Sequence, residues 1–477
     1  MSATDFWTDA RVREALGSTR SADGARAYTG VSTDTRTLGP GALFVALAGD
    51  RFDGHAFLDE AIARGAGGLV VREGTAVPDA TGRVIVYEVP DTLVALGALG
   101  RYRRRHLNAR VCAITGTVGK TTTKEMVRAA LSTRYRVHAT VGNLNNLVGT
   151  PLTLLAAPDD AEALVVEVGT NAPGEIATLS AIVEPDAAII TAIGEGHLEG
   201  LGSLAGVLEE KVSLLRGLRP GGVALVADEP PQLATRAAQL VSNLRVAGWT
   251  ERADPTVRAR GLMLDEDGRA MFNWLDHAVH LSAPGRANAR NALLALGLAV
   301  EWGADPGAAA HAVAALEPPS MRAQVVRFGP LRVVADCYNA NPVSLQAAVE
   351  MLVAMNRGSG RVAVVGTMRE LGDRSEELHR RAARMLADAD LDLVVATGEF
   401  VPAFQPLAGD LGDRLILEQD PLAAYERLAP RLQGGEVVLL KGSRGVALER
   451  LLPLFERDWT TGSRAGTGAD DTAQGGG

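Results

Sequence analysis

Several features that mark other classes of protein are missing from this 477-residue sequence. It contains only two cysteines, Cys112 and Cys337, so no disulfide framework is indicated and a reducing compartment is expected. The formal net charge of -9 argues against nucleic acid or an anionic membrane as a general partner. Residues 1–20 lack the apolar stretch of a secretion signal, and the longer apolar runs, such as 292–300, are too short to cross a bilayer. We therefore expect a soluble, cytoplasmic protein with no membrane insertion.

The hydrophobic content of 47% is ample for several packed domains. Strand-like and helix-like runs alternate, which predicts an α/β protein with an N-terminal domain (1–106), a central domain with a mainly parallel sheet (107–317) and a C-terminal domain (318–457). A basic run at 101–106 is interpreted as the solvated end of a helix. The stretch 458–477 is rich in Gly, Ser, Thr, Ala and Asp, and is predicted to be disordered.

One stretch, 113–123, has the features of a phosphate-binding loop. It reads Ala-Ile-Thr-Gly-Thr-Val-Gly-Lys-Thr-Thr-Thr and stands between a strand-like run and a helical one. Gly116 and Gly119 would let the backbone approach phosphate oxygens. Lys120 would supply a positive charge, and Thr121 a hydroxyl for Mg²⁺. Isoleucine replaces the first glycine of the full pattern, but Gly-Lys-Thr-Thr in this context favours nucleotide binding over an ordinary connection.

Three ionisable residues of the central segment are candidates for chemistry. Glu167 ends a buried strand, where a carboxylate is costly without a cation, so it is a candidate Mg²⁺ ligand. His197 follows another buried strand, and that position favours a site role although a lone histidine is more often structural. Lys211 lies on the amphipathic helix that comes next, and its default interpretation is a surface lysine.

Amide side chains form two further groups in the central segment. Asn145 and Asn146 belong to a polar turn that would lie within reach of a ligand at the strand ends, although such clusters are usually plain loops. Asn288 and Asn291 open a helix of Ala and Leu. Asn288 could be a helix cap, whereas Asn291 could present its amide to the edge of an adenine.

The N-terminal segment has two polar turns around the apolar run 42–48. Thr35 and Arg36 could bind phosphate oxygens, while Phe52 and His55 could pack against a ring and hydrogen-bond it. Ordinary turn chemistry with surface charges accounts for these residues equally well, and the two interpretations stay open.

Strands of the C-terminal segment also end in polar turns. Because the carboxyl ends of parallel strands meet at one edge of a sheet, these turns should form one rim. The side chains expected on it are Asp336, Asn339, Asn341, Lys441 and Ser443.

With these residues in view, the chain resembles the Mur ligase family from about residue 30 to about residue 455. The resemblance rests on the glycine loop, the Asn145-Asn146 turn, Glu167, the His-Leu-Glu-Gly stretch at 197–200, Asn288 and Asn291, the Tyr-Asn-Ala-Asn-Pro turn at 338–342 and Lys-Gly-Ser-Arg-Gly at 441–445. It implies a UDP-binding N-terminal domain, a P-loop ATPase and a Rossmann-like C-terminal domain.

The resemblance implies ATP-driven amide formation through an acyl phosphate. The carboxylate of a UDP-linked tripeptide would be phosphorylated and then captured by the amine of D-alanyl-D-alanine. The Asn-Ala-Asn-Pro turn is similar to that of family members with this acceptor, whereas the ligase for the third peptide residue usually carries Asp-Asn-Pro-Arg, which is absent here. The implied partners are these small molecules alone, and the implied enzyme is a monomer.

The resemblance also implies roles for individual residues, together with two Mg²⁺ ions and a carbamylated Lys211. The implied catalytic residues are Lys120, His197 and Lys211. The implied ATP-binding residues are Gly116, Thr117, Gly119, Lys120, Thr121, Thr122, Asn288, Asn291, Arg322 and Asp336. The implied metal ligands are Thr121, Glu167 and His197. The implied UDP-substrate residues are Thr35, Arg36, Phe52, Asp53, His55, Asn145 and Asn146. The implied acceptor-binding residues are Asn339, Asn341, Lys441 and Ser443.

Three residues depart from the family pattern; the change at 35 is mild, and the other two concern the acceptor contacts rather than the phosphate chemistry. Thr35 replaces a serine, Thr367 takes a position that is commonly Asp, and Asn171 is not followed by His-Gln. The alternatives are a P-loop switch protein that hydrolyses ATP without ligation, the ligase that adds a diamino acid, and a folate-type or cyanophycin-type ligase on the same scaffold.

Overall fold

The computed structural model describes residues 6–18, 26–49, 52–78 and 84–461, and three mainly parallel sheets organise them. Each sheet is built from one of the three segments predicted above, so the α/β prediction is confirmed. None of the described helices is both long and apolar enough to cross a membrane.

The N-terminal sheet has four parallel strands in the order β3-β4-β7-β8. Its central strands carry Leu, Phe and Val side chains that are buried on both faces, as expected for a parallel sheet covered by helices. The elements are β1 (Trp7–Thr8), α1 (Asp9–Ala15), β2 (Ala27–Tyr28), β3 (Val31–Ser32), β4 (Leu43–Val45), β5 (Ala48–Gly49), β6 (Phe52–Asp53), α2 (Leu58–Ala63), β7 (Gly68–Arg72), β8 (Ile85–Val89) and α3 (Thr92–Arg105).

Helix α3 attaches this sheet to the central segment. Arg104 is buried, donates to the carbonyl oxygen of Val183 (2.9 Å) and pairs with Asp186 (2.7 Å). Arg103 is buried as well. The interpretation of 101–106 as a solvated helix end is therefore wrong for these two arginines, whose burial is offset by carbonyl and carboxylate partners.

The central sheet has six parallel strands in the order β10-β11-β9-β12-β13-β14, with β9 in the middle and a three-stranded antiparallel sheet, β15-β16-β17, beside it. The elements are β9 (Arg110–Thr115), α4 (Lys120–Leu131), β10 (Val137–Ala139), α5 (Gly149–Leu155), β11 (Ala163–Glu167), α6 (Glu175–Val183), β12 (Ala187–Ile190), α7 (Leu198–Leu201), α8 (Leu204–Val212), β13 (Val223–Ala227), α9 (Pro231–Ala238), β14 (Leu244–Ala247), β15 (Arg260–Leu264), β16 (Arg269–Trp274), β17 (His277–Pro284), α10 (Arg286–Glu301) and α11 (Pro306–Ala314).

Strand register in this sheet decides where the functional residues lie. Glu167 at the end of β11 is paired with Ile114 of β9, and Ile190 of β12 is paired with Thr115. The three strands therefore end together, so the loop after β9, the Glu167 carboxylate and the loop after β12 share one edge.

The C-terminal sheet has the order β18-β19-β23-β20-β21-β22, in which only the edge strand β18 runs antiparallel to its neighbour. The elements are β18 (Gln324–Phe328), β19 (Leu331–Asp336), α12 (Pro342–Ala354), β20 (Arg361–Val365), α13 (Ser375–Asp388), β21 (Leu393–Ala396), α14 (Phe400–Phe404), α15 (Ala408–Leu411), β22 (Leu415–Leu417), α16 (Pro421–Leu428), β23 (Val437–Lys441) and α17 (Leu452–Glu456).

The last described turn is π-helical, Arg457–Thr461, and it contains the buried Trp459. The stretch predicted to be disordered thus begins in ordered structure, and its part from residue 462 lies outside the described residues. Both cysteines are buried and unpaired, Cys112 within β9 and Cys337 directly after β19.

The central and C-terminal segments share one apolar cluster. It includes Leu198 at the start of α7, together with Leu345 on α12 and Met368 after β20. Burial of apolar surface on both sides of this junction holds the two segments against each other.

Candidate active site

The phosphate loop connects β9 to α4 through two glycines with positive φ, Gly116 (147°) and Gly119 (87°). A Cβ at Gly116 would stand 2.1 Å from the Thr191 hydroxyl, so no other residue fits there without a shift. Gly119 takes the N-cap position of α4 with no side-chain cap. The first N–H groups of α4 are thereby left for a ligand, which is the usual arrangement for an anion at a helix N-terminus.

The loop is braced by the residues that follow β12. The Thr117 amide donates to the carbonyl oxygen of Ala192 (2.7 Å), and the Gly194 amide donates to the Thr117 hydroxyl (3.1 Å). The Thr191 hydroxyl donates to the carbonyl oxygen of Val118. These contacts fix the loop before any phosphate arrives, which reduces the ordering that binding must impose.

Lys120 is the first residue of α4, and its ammonium group donates to the carbonyl oxygen of Gly116 (2.9 Å). Burial lowers the pKa of Lys120, and the nearby Glu167 carboxylate opposes that shift. The ammonium thus lies folded over the loop, where phosphate oxygens would approach. Thr121 and Thr122 line the same space.

Glu167 is 2% exposed and has one carboxylate oxygen with a partner and one without. Asn145 donates from its amide nitrogen to Oε1 (2.8 Å), whereas Oε2 is buried and has no partner within the described structure. A buried carboxylate oxygen without a partner is unfavourable unless a cation binds it. This donor suits Mg²⁺, which prefers oxygen ligands and usually takes few from the protein and the rest from phosphates and water.

In the part of the chain that the structure describes, no three His, Cys, Asp or Glu side chains lie together in a group that could hold a metal ion. An ion at Glu167 would therefore be completed by the Thr121 hydroxyl, by water and by a phosphate ligand, in keeping with the site chemistry of Mg²⁺.

His197 lies on the loop after β12 and contacts the C-terminal segment. Its Nδ1 is 2.7 Å from Oε2 of Glu370, and its φ is positive (56°), which is unusual for a residue other than glycine. The hydrogen bond from His197 lowers the pKa of the Glu370 carboxyl. His197 lines the same cavity as Lys120 and Glu167.

Asn291 and Asn288 lie one turn apart on α10 and face the phosphate loop. Asn291 is buried, and its amide stands against Gly119, where an added Cβ would meet Oδ1 at 2.7 Å. Its amide nitrogen donates to Oδ1 of Asn288 (3.1 Å), and the Asn288 amide donates to the carbonyl oxygen of Pro284 (2.7 Å). Gly285 occupies the N-cap of α10, so Asn288 is not the helix cap.

The facing wall comes from the C-terminal sheet, where Asp336 and Lys441 end two neighbouring strands in register. Lys441 is 3% exposed, pairs with Asp336 (2.8 Å) and donates to the carbonyl oxygen of Asn339 (2.8 Å). Asp336 accepts from the Ala323 amide at its other oxygen (3.2 Å). The pair is thus held firmly at the edge of the cavity.

Arg322 reaches this wall from the stretch between α11 and β18. Its guanidinium lies over the ring of Tyr338, 4.0 Å from the centroid. The residues on both sides, Met321 (φ 59°) and Ala323 (φ 54°), have positive φ. Strained backbone of this kind persists where surrounding structure requires it, and it is frequent at functional sites.

Three residues predicted to bind the acceptor serve local structure. Asn341 caps α12 in a capping box with Ser344, accepting from the Ser344 amide (2.9 Å). Asn339 accepts from the Ser443 hydroxyl (3.1 Å), and Ser443 in turn accepts from the Arg369 amide (3.0 Å). These bonds shape the rim, and Asn339 and Asn341 still line the cavity.

One cavity of about 390 Å³ lies between the central and C-terminal segments and collects most of the predicted residues. Its predicted lining residues are Thr117, Gly119, Lys120, Thr121, Thr122, Asn145, Asn146, Glu167, His197, Asn288, Asn291, Arg322, Asp336, Asn339, Asn341 and Lys441. Asn145 and Asn146 therefore lie beside the phosphate loop, although they were grouped with the UDP-substrate residues.

The N-terminal candidates are elsewhere. Arg36 pairs with Asp34 (2.6 Å) and its side chain is 84% exposed. His55 contacts Asp53 (2.6 Å), and Phe52 is stacked on Phe57, 5.1 Å between centroids. A second cavity, of about 470 Å³, is lined by residues 29–34 together with Leu144, Leu152 and Leu155 from the central segment.

Lys211 is fully buried, and the default interpretation of a surface lysine is wrong. Its amine has no hydrogen-bond partner within the described structure, and burial together with the charge of Lys120 lowers its pKa well below the ordinary range. Lys211 follows Val207 by four residues, so the apolar periodicity of α8 could have indicated this burial.

Two residues that contribute to the site were missed in the sequence. Glu370 stands in a Gly-Thr-Met-Arg-Glu-Leu turn after a strand, a position that predicts a rim residue. Lys124 is 2% exposed and donates to the carbonyl oxygen of Thr140 (2.7 Å), while the Thr140 hydroxyl accepts from the Glu167 amide (3.0 Å). Nothing in the local sequence indicates the role of Lys124 in supporting Glu167.

Known protein families match all three segments of the chain. The profile described as "Mur ligase family, catalytic domain" matches residues 27–104, "Mur ligase middle domain" matches 114–299, and "Mur ligase, glutamate ligase domain" matches 321–444. A UDP-N-acetylmuramoyl-tripeptide–D-alanyl-D-alanine ligase of Bacillus subtilis is 33% identical over 430 residues, which cover 89% of this chain and 92% of that protein.

Solved structures give the same result. MurF from Acinetobacter baumannii is similar with a TM-score of 0.84 and 30% identity, covering 95% of this chain and 99% of that one. The MurF ligase of Thermotoga maritima in complex with ADP has a TM-score of 0.80 and 29% identity, covering 90% and 97%. Similarity at this level over nearly the whole length of each protein shows common descent, and the chain belongs to the Mur ligase family.

Proposed function

We propose that this chain is the ATP-dependent ligase that joins D-alanyl-D-alanine to UDP-N-acetylmuramoyl-tripeptide and so makes the pentapeptide precursor of peptidoglycan. The observation that carries the proposal is the cavity with Lys120 and Glu167 on one wall and Asp336 and Lys441 on the other. A site that only hydrolyses ATP needs the first wall, whereas a ligase must also bring two further substrates to the γ-phosphate.

The reaction has two steps. A carboxylate oxygen of the tripeptide attacks the γ-phosphorus, the bond to the β-phosphate oxygen breaks, and ADP leaves an acyl phosphate. The amine of D-alanyl-D-alanine then attacks the acyl carbon, the C–O bond to phosphate breaks, and the amine loses a proton as phosphate departs. Both steps place negative charge near the phosphate loop, so positive groups fixed there favour the transition states.

The residues of the first wall suit the phosphates. The N–H groups at the start of α4 and the Lys120 ammonium would bind the β- and γ-phosphates, with Thr117 and Thr122 beside them. Two Mg²⁺ ions, one at Thr121 and the free oxygen of Glu167 and the other near His197, would neutralise the phosphate charge.

The second wall suits the nucleoside and the acceptor. Asp336 would accept from a ribose hydroxyl, and Arg322, already aligned by Tyr338, would reach the phosphates. Asn288 and Asn291 would lie on the adenine side. Lys441, with Asn339, Asn341 and Ser443, would form the edge that admits the dipeptide.

The UDP part of the tripeptide substrate would bind in the N-terminal cavity. Residues 29–34 line it, and Asp34 holds the Thr35–Thr37 turn by accepting from the Arg36 amide (2.9 Å). The exposed side chain of Arg36, which pairs with Asp34, would have to exchange that partner for a diphosphate. Phe52, Asp53 and His55 lie on the neighbouring hairpin and turn, where they could contact the sugar.

We also propose that Lys211 is carbamylated. Lys211 has a buried amine without a hydrogen-bond partner within the described structure, and burial lowers its pKa, which favours the neutral form that reacts with CO₂. In that reaction the amine nitrogen bonds to the carbon and releases one proton. The product is an anion, which would interact favourably with the Lys120 side of the site rather than repel it.

Three further expectations accompany the proposal. The enzyme works as a monomer in the cytoplasm, where ATP is supplied. Its domains are residues 1–106, 107–317 and 318–457. Light scattering during gel filtration would test the first point, since a dimer would elute with twice the mass of 49.9 kDa.

The decisive experiment is an assay of phosphate release with each substrate left out in turn. We expect release only with ATP, the UDP-tripeptide and D-alanyl-D-alanine together, and a product heavier by the dipeptide minus water. Release with ATP alone would identify a switch ATPase. Product formed from the UDP-dipeptide and a diamino acid would identify the preceding ligase, and glutamate addition to a folate would identify the third alternative.

A further inference from the structure

We propose that Glu370 is a positioning residue that fixes the tautomer of His197 across the junction of the central and C-terminal segments. The inference rests on the proposed function, in which His197 faces the transferred phosphate and its metal. It assigns a role to a residue outside the nucleotide-binding loop, on the segment that must dock for the reaction to proceed.

The 2.7 Å contact between Nδ1 of His197 and Oε2 of Glu370 determines which ring nitrogen carries a proton. A carboxylate only accepts, so the 2.7 Å contact requires a proton on Nδ1 of His197. In the neutral ring the lone pair is then on Nε2, which has no hydrogen-bond partner within the described residues and belongs to a side chain that lines the cavity. A carboxylate behind a histidine commonly sets the orientation of a metal-binding or proton-accepting ring in this way.

The backbone conformations of His197 and Glu370 also indicate a functional contact. His197 (φ 56°) and Glu370 (φ 65°) are both in the left-handed region although neither is glycine. Because both facing residues are strained, the contact between them explains the strain better than the conformation of either turn alone. The turns also touch through the backbone, because the Glu199 amide donates to the carbonyl oxygen of Glu370 (3.3 Å).

The same loop is held from a second direction. Glu195 is 17% exposed and pairs with Arg374 (3.1 Å) and with Arg381 of α13. Because Glu370, Arg374 and Arg381 all belong to the C-terminal segment, withdrawal of that segment would remove the acceptor from Nδ1. The ring of His197 is therefore in its working tautomer only when the two segments are docked.

Nitrogen NMR of the resting protein tests the tautomer directly. With ¹⁵N-labelled histidine, eight rings give signals, and His197→Gln identifies the one that belongs to His197. We expect Nδ1–H in the parent protein, a change toward Nε2–H in Glu370→Ala, and retention of Nδ1–H in Glu370→Gln, whose amide oxygen can still accept. An unchanged ring in Glu370→Ala would overturn the proposal.

A matched control is Glu376→Ala. Glu376 is 75% exposed and pairs with Arg380 on its own helix, so its loss should leave the His197 signal unchanged. A shift of equal size in the control would also contradict a specific role for Glu370. Because no substrate is present, this result is independent of whether the ligase reaction itself is as proposed.

Kinetic measurements then distinguish a positioning role of Glu370 from a general structural role. We expect Glu370→Ala to lower kcat about 10- to 100-fold with little change in the KM for ATP, and Glu370→Gln to recover most of it. Combined with His197→Ala, Glu370→Ala should cost nothing further, because it acts through the missing ring. Additive losses in the double variant would overturn the proposal.

Discussion

Glu195 and Arg374 form an ion pair of 3.1 Å that joins the loop after β12 to the C-terminal segment, and Arg381 completes it from the other side. A second ion pair joins Asp267, at the turn between β15 and β16, to Arg327 of β18 (3.1 Å). The C-terminal segment is thus joined to the central segment by ion pairs at two different elements.

We predict that Glu195→Gln increases the radius of gyration of the ligand-free enzyme, because the closed arrangement loses an ionic contact with two arginines. Small-angle scattering measures this directly. An ATP analogue should restore the smaller radius, since its phosphates supply new contacts between the walls. Glu60→Gln is the control, because Glu60 pairs with Arg64 inside a single helix. Equal radii for the parent and Glu195→Gln would contradict the assignment.

We predict that Lys120→Ala abolishes ATP turnover and leaves binding of the UDP substrate intact. Loss of an electrostatic contact to the transferred group costs on the order of 10²-fold or more in rate. The UDP cavity is built from other residues, so calorimetry with the UDP-tripeptide should give an unchanged affinity. Near-normal phosphate release by the variant would show that 113–123 is not the phosphate-binding loop.

We predict that Lys211→Ala is nearly inactive and is partly restored by short carboxylic acids, which can replace the carboxylate of the carbamate. Lys211→Met is the matched variant, since it fills the same buried space without an amine and should be inactive as well. Glu167→Ala should respond less to the acids.

A direct measurement for Lys211 is ¹³C NMR of enzyme equilibrated with labelled bicarbonate. A carbamate carbon should give one signal that disappears in Lys211→Met. Full activity in Lys211→Met would show that the lysine only packs, and a missing carbamate signal in the active parent enzyme would show that the amine is unmodified.

The fourth prediction concerns stability and pH. His379 is buried on α13, accepts from the Met368 amide at Nε2 (2.9 Å) and donates from Nδ1 to the carbonyl oxygen of Ser375 (2.8 Å). Burial lowers its pKa below the ordinary 6.5, so the unfolded chain binds a proton more readily than the folded one. The free energy of unfolding should therefore fall as pH drops below about 6.5, down to the pKa of the folded state.

The measurement for His379 is chemical denaturation at several pH values. His379→Gln, which can keep the contact to the Met368 amide, should show a weaker loss between neutral and acidic pH than the parent. His280→Gln is the control, because the His280 side chain is 52% exposed rather than buried. The same pH slope in the parent and in His379→Gln would contradict this assignment.

Local patterns were sufficient to predict the loop and its partners. Strand, glycine turn and helix are adjacent in sequence, and carboxylates or lysines at strand ends must gather at one edge, which explains Lys120, Glu167, Asp336 and Lys441. The contact of His197 with Glu370 could not be predicted in this way. It joins two turns from different segments, and its formation depends on how those segments pack.

Side-chain contacts within a turn could not be predicted from the sequence either. Asn145 was expected to face a substrate and lines the cavity, but the bond from its amide nitrogen to the Glu167 carboxylate was not predicted. Arg103 and Arg104 looked like a solvated run because their acceptors, which include backbone carbonyls of another segment, leave no pattern in the sequence. Charge alone predicts exposure, and only the packing shows where a charged group has found enough partners to be buried.

The burial of both cysteines makes the chain convenient for thiol labelling. Cys112 and Cys337 are shielded from solvent, and burial raises the pKa of each thiol, that of Cys337 to about 12. Maleimides react with the thiolate, so the native residues should be almost inert at neutral pH. A pair of cysteines introduced at exposed positions, one on the N-terminal or central segment and one on the C-terminal segment, could therefore carry dyes without removal of a native residue. The distance between such dyes would follow opening and closing in single molecules.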